Sequence, residues 1–319
     1  MKYRAVNLDS LRGEIDAAVG RLSQHSQFLR ETPLMKLPGS VFHVPCAEVW
    51  LKLEHLQVGG SFKARGMLNR MLANPIPKSG VIVASGGNAG IATAAAARAL
   101  SVPCEVFVPT VSSPAKQAKL RELGATVVVT GAAYSEALQA CLARQRETGA
   151  LMTHAYDQIE VVAGAGTLAR EIELQGGVPH SVLVSVGGSG LIGGVAAWFS
   201  GRSKVVALES EHTPTLYEAR KAGQPVDVTV SGITADSLGA KRVGNIGWEI
   251  TQRHVDEALL VSDDSIRAAQ KWLWNHLRLA VEPAAALGLA ALQTDGYVPR
   301  ADDTVCLILC GANVDLVSL

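Results

Sequence analysis

Short runs of apolar, β-branched residues alternate along the chain with alanine-rich segments of helical periodicity, and glycine-rich turns separate the two. The clearest unit is a strand at 80–84 (GVIVA), a turn at 85–90 (SGGNAG) and a helix at 91–100. The alternation recurs at the strand 181–186 (SVLVSV) and reaches the last strand, 304–310 (TVCLILC). Strands that alternate with helices predict parallel βαβ units, and therefore an α/β fold with a doubly wound sheet.

Capping residues predict where further helices begin and end. One helix begins near Ser113, a good N-cap, and ends before Gly124, a good C-cap. Another covers 263–277 (DDSIRAAQKWLWNHL), and a third begins near Pro283. Ligands of doubly wound sheets bind beyond the carboxyl ends of the strands, where the glycine-rich turns of this chain lie. We therefore look for chemistry in those turns.

Composition and charge exclude several classes of function. The 319 residues carry 29 basic and 29 acidic side chains, so the net charge is zero and no basic stripe favours nucleic acid. The first residues are charged throughout, which excludes a secretory signal, and no apolar run approaches the ~18 residues of a membrane span. Five scattered cysteines without a C-x-x-C pair indicate a reducing compartment. The composition predicts a cytoplasmic globular protein of about two domains.

A lysine follows the first glycine-rich turn, GGSFKARG at 59–66. Ser61 is a plausible N-cap, which places Lys63 in the first turn of a helix. The helix dipole and the nearby Arg65 both disfavour a charged amine there. A neutral amine is what Schiff-base chemistry requires, although a solvated surface lysine fits the same residues.

The second turn, 85–90, joins a strand to a helix. Backbone amides at a helix N-terminus bind anions, here a carboxylate, and Asn88 adds a side-chain donor and acceptor. An ordinary tight βα turn explains the same residues. Both interpretations stay open at this point.

The third turn, GGSGLIGG at 187–194, also joins a strand to a helix, which favours phosphate binding. Gly188, Gly190 and Gly193 satisfy the G-x-G-x-x-G pattern, and Glu209 ends the next strand where a ribose-binding acid would lie. Taken alone, this pattern indicates an NAD-dependent oxidoreductase. Close packing of the helix on the sheet is the third interpretation.

The fourth motif, Cys310-Gly311-Ala312-Asn313, ends the last strand. Buried cysteines usually serve as small apolar residues. A place at the carboxyl end of a strand, beside glycine, makes contact with a ligand an additional interpretation for Cys310.

In this order, the four motifs resemble the fold type II pyridoxal-phosphate enzymes, and among them the serine/threonine dehydratases (threonine ammonia-lyases) and serine racemase. The resemblance extends over nearly the whole chain, and its other segments are ETPLMKL, ITADSLGA and VEPAAALGLAAL. It implies two doubly wound open sheets, in a large domain (1–66 and 151–319) and a small one (67–150). It also implies a homodimer and, because the chain stops soon after Asp315, the short catabolic type without a regulatory domain.

The resemblance assigns a role to each matching residue. It gives catalysis to Lys63, which would hold pyridoxal 5'-phosphate covalently and act as base, and to Ser85. Binding of the amino-acid substrate falls to Ser85, Gly86, Gly87 and Asn88. Binding of the cofactor falls to Lys63, Asn88, Gly187, Gly188, Ser189, Gly190, Leu191 and Cys310. Glu209 matches an acid that binds a monovalent or divalent cation, although Thr213 and Thr215 depart from the other ligands.

The implied reaction is β-elimination, which converts L-threonine, L-serine or a related β-hydroxy amino acid to a 2-oxo acid and ammonia. A neutral Cys310 thiol near the pyridine nitrogen favours elimination, because it leaves the ring a weaker electron sink than a carboxylate would. Three alternatives stay open: racemisation, β-replacement and, from the G-x-G-x-x-G pattern alone, an NAD-dependent oxidoreductase. Racemisation is disfavoured because Gly86 replaces the serine base of racemases, and β-replacement because Lys63-Ala64-Arg65 replaces the usual K-D-R.

Overall fold

The computed structural model describes residues 8–315. Its helices are α1 (Leu8–Ser23), α2 (Lys63–Leu72), α3 (Asn88–Ala99), α4 (Pro114–Glu122), α5 (Tyr134–Thr148), α6 (Ile159–Gly176), α7 (Gly190–Phe199), α8 (Thr215–Ala222), α9 (Asn245–His254), α10 (Asp263–Trp272) and α11 (Pro283–Gln293). Its strands are β1 (Leu34–Pro38), β2 (Glu48–Lys52), β3 (Val81–Ala84), β4 (Cys104–Val108), β5 (Thr126–Val129), β6 (Leu151–Met152), β7 (Ser181–Ser185), β8 (Lys204–Ser210), β9 (Glu257–Val261) and β10 (Thr304–Ile308).

Between residues 8 and 315 the strands form two open sheets. The larger sheet has the order β1-β2-β10-β7-β8-β9, and the smaller has the order β5-β4-β3-β6. Every pairing is parallel except that of the edge strand β1, which runs antiparallel to β2. The predicted α/β fold with two doubly wound sheets is therefore confirmed.

The strands β3, β7 and β10 form where the apolar runs of the sequence predicted them, whereas β1, β2 and β9 were not predicted. All residues of β3 and β7 are buried, as expected of parallel strands covered by helices on both faces. The predicted caps of α4 are confirmed as well. The Ser113 hydroxyl accepts the backbone N–H of Lys116 (3.4 Å), and Gly124 follows the helix at a positive φ of 87°.

Close packing of α2 against α6 positions the first turn of α2. A Cβ atom added at Gly164 would lie only 2.7 Å from the Gly66 Cα atom and from the Arg65 carbonyl oxygen. Glycine at 164 therefore allows the two helices to approach more closely than larger residues would permit. The contact fixes the start of α2, where Lys63 lies.

The predicted domain boundaries stay predictions. The smaller sheet takes its strands from 81–152 and the larger sheet from the segments on either side. The boundary predicted after Gly66 falls within α2, and the one before 151 separates β6 from β3, with which it pairs. None of the helices between residues 8 and 315 is long and apolar enough to cross a bilayer.

Candidate active site

Lys63 is the first residue of α2, and its amine is held away from bulk water. The Nζ atom donates a hydrogen bond to the backbone carbonyl of Ala155 (2.5 Å). Burial lowers the pKa of Lys63 to about 8, against the opposing influence of Cys310 and Glu282. A substantial fraction of the amine is therefore neutral near physiological pH, as a nucleophile or base requires.

The expected cause of this shift was partly wrong. The guanidinium of Arg65 is buried among carboxylates, pairing with Glu54 (2.7 Å) and Glu171 (2.8 Å). Its charge is compensated there, and desolvation is the dominant cause of the low pKa of Lys63. Arg65 instead anchors α2 to its neighbours, because breaking a buried ion pair typically costs about 3–5 kcal/mol.

A sharp turn after β6 presents the carbonyl group that receives the Lys63 amine. The Nδ1 atom of His154 accepts the backbone N–H groups of Tyr156 (3.3 Å) and Asp157 (3.0 Å). Burial lowers the pKa of His154, so the ring stays neutral and remains an acceptor. The turn thereby holds Ala155 between the imidazole and Lys63.

The turn after β3 places the residues predicted to bind a carboxylate at the start of α3. The Ser85 hydroxyl accepts the Gly87 N–H (3.3 Å), Gly87 occupies the N-cap position and Asn88 begins the helix. Three turns of helix behind the first N–H groups of α3 favour an anion at this end. The location agrees with the predicted carboxylate site, while the individual contacts with substrate stay predictions.

The backbone at Gly86 faces the smaller sheet at close range. A Cβ atom added there would lie 3.0 Å from the Ser112 hydroxyl and 3.3 Å from Val108 Cγ1. A side chain at position 86 therefore requires Ser112 to move. This crowding supports glycine as the residue that fits the observed turn.

The turn after β7 forms a cradle with an unsatisfied hydroxyl group. Ser189 is 2% exposed with a φ of 70°, and within residues 8–315 its Oγ atom has no hydrogen-bond partner. The ring of Tyr156 packs on the loop so closely that a Cβ atom at Gly188 would lie 2.2 Å from Tyr156 Cγ. A buried hydroxyl without a partner beside the N-terminus of α7 fits a phosphate group.

Cys310 follows β10, and its thiol is 3% exposed. Burial, and secondarily the charge of Glu282, raises the pKa of the thiol well above its usual range, so it stays neutral. The Cys310 carbonyl accepts the N–H of Phe62 (3.1 Å), which ties this strand end to the residue before Lys63. The geometry agrees with the predicted neutral partner for a ring nitrogen.

A buried carboxylate that was not predicted from the sequence, Glu282, lies beside these motifs. Glu282 is 4% exposed, and the Asn88 amide lies 3.0 Å from each of its oxygens. The Asn88 Oδ1 atom accepts a hydrogen bond from Asn313 (2.7 Å). A signal was present, because Glu282 is the single acid of the apolar segment VEPAAALGLAAL and directly precedes a helix-starting proline.

Glu209 belongs to β8, and its side chain reaches the start of α8. Its two carboxylate oxygens accept the backbone N–H groups of Leu216 (2.8 Å) and Tyr217 (2.7 Å). Across residues 8–315, no three His, Cys, Asp or Glu side chains lie together as a metal site would require. The Glu209 oxygens act as acceptors for a helix N-terminus, and the cation stays a prediction.

The structure brings the four predicted motifs together at the carboxyl ends of the strands. The Phe62 N–H is hydrogen-bonded to the Cys310 carbonyl, and the Asn88 side chain is hydrogen-bonded to that of Asn313. Tyr156 connects the third motif to Lys63, since it packs on Gly188 and follows the carbonyl that receives the amine. A desolvated amine, two helix N-termini and a neutral thiol are the groups that pyridoxal phosphate and an amino acid require.

Comparisons with known proteins agree with this arrangement. A family model described as pyridoxal-phosphate dependent enzyme matches residues 25–311. The chain is 32% identical, over 84% of its length, to the L-threonine ammonia-lyase of Thermotoga maritima, of which the match covers 68%. It is 33% identical to the phenylserine dehydratase of Ralstonia pickettii, over 95% of this chain and 94% of that one. The structure of maize serine racemase has a TM-score of 0.89 at 27% identity, covering 99% of this chain and 96% of that chain.

The family match identifies a pyridoxal-phosphate enzyme, although the glycine-rich loop at 187–194 taken alone indicated a dinucleotide site. The alternative of a nicotinamide oxidoreductase depended on that loop alone and has no further support. The match covers the first three motifs and reaches Gly311 of the fourth in one segment, and the solved relative superposes over nearly the whole chain. This chain belongs to the pyridoxal-phosphate dependent enzymes of fold type II.

Proposed function

We propose that this chain is a lyase that removes water from a β-hydroxy amino acid, L-threonine, L-serine or a close relative, to give a 2-oxo acid and ammonia. The observation that carries the proposal is the buried Lys63 amine beside the neutral Cys310 thiol, between two anion-binding helix starts. The relatives named L-threonine ammonia-lyase and phenylserine dehydratase support the same reaction class.

Each group of the chain has a defined task in this reaction. Pyridoxal phosphate, when bound, supplies an electron sink for the bonds at the substrate Cα. The Lys63 amine accepts the Cα proton. The Ala155 carbonyl accepts a hydrogen bond from this amine and thereby orients it. The start of α3 binds the substrate carboxylate, and the loop around Ser189 binds the cofactor phosphate. Loss of the α-hydrogen and the β-hydroxyl as water leaves an enamine, which hydrolyses to the 2-oxo acid and ammonia.

Racemisation is the second candidate, and the geometry at Gly86 disfavours it. Inversion at Cα requires a proton donor on the face opposite Lys63. Glycine provides none, and a serine at this position would meet Ser112 and Val108 at 3.0–3.3 Å from its Cβ atom. We expect chiral chromatography of L-serine incubated with the enzyme to show pyruvate as the main product, with D-serine in the minority.

The substrate is identified by release of 2-oxo acid from a panel of amino acids. We expect activity with L-threonine, L-serine or L-threo-phenylserine, whose β-substituents carry no charge, and little with 3-hydroxyaspartate. The reason is that Asp236 lies over the carboxylate turn, with its backbone carbonyl oxygen 3.6 Å from a Cβ atom placed at Gly87, and Glu282 adds further acidity nearby. The measurement is kcat/KM for each compound; no release from any of them would contradict the proposed function.

Exchange of Cys310 tests how the thiol influences the reaction. In Cys310→Ser we expect turnover within about tenfold of the wild type, because a hydroxyl offers the same neutral hydrogen bond. In Cys310→Asp a carboxylate would favour a protonated pyridine ring, so the ratio of elimination to transamination should fall by at least about tenfold. Product analysis by chromatography gives this ratio directly.

Thermal melting of the same two variants separates this role from simple packing. If the thiol only fills space, a serine hydroxyl there that does not keep the hydrogen bond to Ser185 costs about 1–3 kcal/mol of folding stability. A Cys310→Ser protein that melts much earlier, yet has an unaltered cofactor spectrum, would contradict contact with the ring.

The proposal includes a cytoplasmic homodimer, as the sequence predicted. Its support is that all five cysteines are buried and free, as in proteins of a reducing compartment. Sedimentation equilibrium of the holoenzyme gives the assembly state, with a mass of about 67 kDa expected from two 33.5 kDa chains.

A further inference from the structure

Glu282 is a buried carboxylate for which the proposed reaction has no assigned use. It lies at the N-cap of α11, and its backbone N–H donates to the Gly311 carbonyl (3.0 Å). A Cβ atom at Gly311 would lie 2.3 Å from the nearer Glu282 oxygen, so glycine is required where the chain passes the carboxylate. The fold thus accommodates a buried acid, although an apolar residue at this position would avoid the desolvation free energy of a carboxylate.

The carboxylate is the final acceptor of a chain of hydrogen bonds in which Asn313 donates to Asn88 and Asn88 donates to Glu282. The Asn88 Nδ2 atom donates to Glu282, at 3.0 Å from both oxygens. The Asn88 Oδ1 atom in turn accepts from Asn313 Nδ2 (2.7 Å), which also donates to the Gly59 carbonyl (2.8 Å). An ionised carboxylate can only accept, so it requires the amide nitrogen of Asn88, and not its oxygen, on this side.

We propose that Glu282 is the positioning residue that fixes the amide orientation of Asn88, and that protonation of Glu282 releases this orientation. A protonated carboxyl group presents an O–H donor, which would face the N–H donor of Asn88. Rotation of the amide relieves that conflict but places Oδ1 away from Asn313. The second N–H of Asn88, which in the observed orientation is available to an anion, is then lost to the substrate carboxylate.

Charges around Glu282 place this transition near neutral pH. Burial, followed by the charge of Asp236, raises the pKa of Glu282 to about 7, against opposing hydrogen bonds and the charge of Lys63. Above that pH the carboxylate and the observed orientation dominate, and both are lost as the pH falls. The groups that face Glu282 are Lys63, Cys310, Asp236, the side-chain amide of Asn88 and the backbone N–H of Asn313.

Binding of L-alanine to the holoenzyme tests the inference without requiring turnover. L-Alanine has the α-carboxylate but no β-leaving group, and the visible absorbance of the bound cofactor reports its Kd. We expect the Kd of the wild type to rise about tenfold more between pH 8 and pH 6 than that of Glu282→Gln, which keeps an acceptor but does not titrate. The amine of free L-alanine also titrates, but this affects the Kd of the wild type and of Glu282→Gln equally, so it does not contribute to the difference. With the true substrate, the same difference should appear in KM and leave kcat nearly unchanged.

Two further variants distinguish positioning from a purely structural role. Glu282→Asp restores a titrating group and should recover part of the pH-dependent difference. Asp236→Asn removes a charge that raises the pKa of Glu282, so the midpoint should move to lower pH. Asp236 is exposed and paired with Lys116. Asp227→Asn is the matched control, since Asp227 is also exposed and paired with a basic residue, Arg242, and should leave the midpoint unchanged.

This inference rests on the proposed function in one respect, the role of Asn88 in binding the substrate carboxylate. The outcomes therefore distinguish failure of the inference from failure of the proposed function. Equal pH dependence in the wild type and Glu282→Gln would overturn the inference, even if 2-oxo acids are released. If Glu282→Gln does not fold, the inference is overturned when the midpoint of the pH dependence of the L-alanine Kd is the same in Asp236→Asn as in the wild type. If the pH dependence of the L-alanine Kd is lost in Glu282→Gln while no amino acid undergoes elimination, the inference is supported and the proposed function is contradicted.

Discussion

Replacing Lys63 by alanine should abolish release of 2-oxo acid, with a loss of at least about 10³-fold from the missing base and nucleophile together. The structure explains why no neighbouring group can take over. The amine is buried, its pKa is lowered to about 8, and the Ala155 carbonyl orients it at 2.5 Å. Water admitted to the space left by the side chain is a far weaker base and forms no covalent link.

Cofactor spectra and borohydride treatment identify the cause of that loss. In the wild type, borohydride should fix the cofactor covalently to Lys63, as mass spectrometry of the peptide shows. In Lys63→Ala the cofactor should bind only reversibly, through the Ser189 loop. Lys221→Ala is the control, because that side chain is 71% exposed on α8 and should leave turnover unchanged. Unchanged turnover in Lys63→Ala would remove Lys63 from the mechanism.

Much of this site could be predicted because its parts are local. A buried strand followed by a glycine turn and a helix start is visible within about ten residues, and such turns meet at one edge of a parallel sheet. That is why Lys63, Asn88 and Cys310 could each be proposed from a short segment, while Ser85 and Ser189 received their roles from the family resemblance. The order of the motifs along the chain, compared with a known family, then indicated the cofactor.

The parts that the sequence did not reveal depend on contacts between distant segments. Glu282 and Asn88 are 194 positions apart, and nothing in either segment indicates the partner. Arg65 was interpreted by its distance from Lys63 along the chain, but in the folded protein its charge is compensated by Glu54 and Glu171. A residue's electrostatic effect depends on its three-dimensional partners more than on its sequence neighbours.

The longest helix, α6, was also missed, and the reason is physical. Its segment, IEVVAGAGTLAREIELQG, contains several glycines, which lower helix propensity, and its first half is mostly apolar, with Glu160 as its one charged residue. The helix forms because it is packed between α2 and α7. A Cβ atom at Gly166 would lie 3.0 Å from the Gly194 carbonyl oxygen, so small residues permit close helix contact that propensity alone does not predict.

Introducing aspartate at Gly188 should weaken binding of pyridoxal phosphate by at least about a hundredfold, or about 2.8 kcal/mol. Two effects act in the same direction. The new Cβ atom would lie 2.2 Å from the Tyr156 ring, and a carboxylate beside the Ser189 hydroxyl would repel a phosphate group. The Kd of the cofactor, measured by fluorescence titration of the apoenzyme, gives the size of the loss.

Two companion variants separate shape from charge in that loop. Gly188→Ala introduces the collision with Tyr156 without the charge, so its Kd should lie between those of the wild type and Gly188→Asp. Gly193→Ala belongs to the same G-x-G-x-x-G pattern, but a Cβ atom there meets Ile250 and Val162 at 3.4–3.5 Å, ordinary van der Waals contact. Its Kd should be unchanged. If instead Gly188→Asp binds the cofactor as the wild type does and melts at the same temperature, the phosphate lies elsewhere. In that case the buried hydroxyl of Ser189 has another partner.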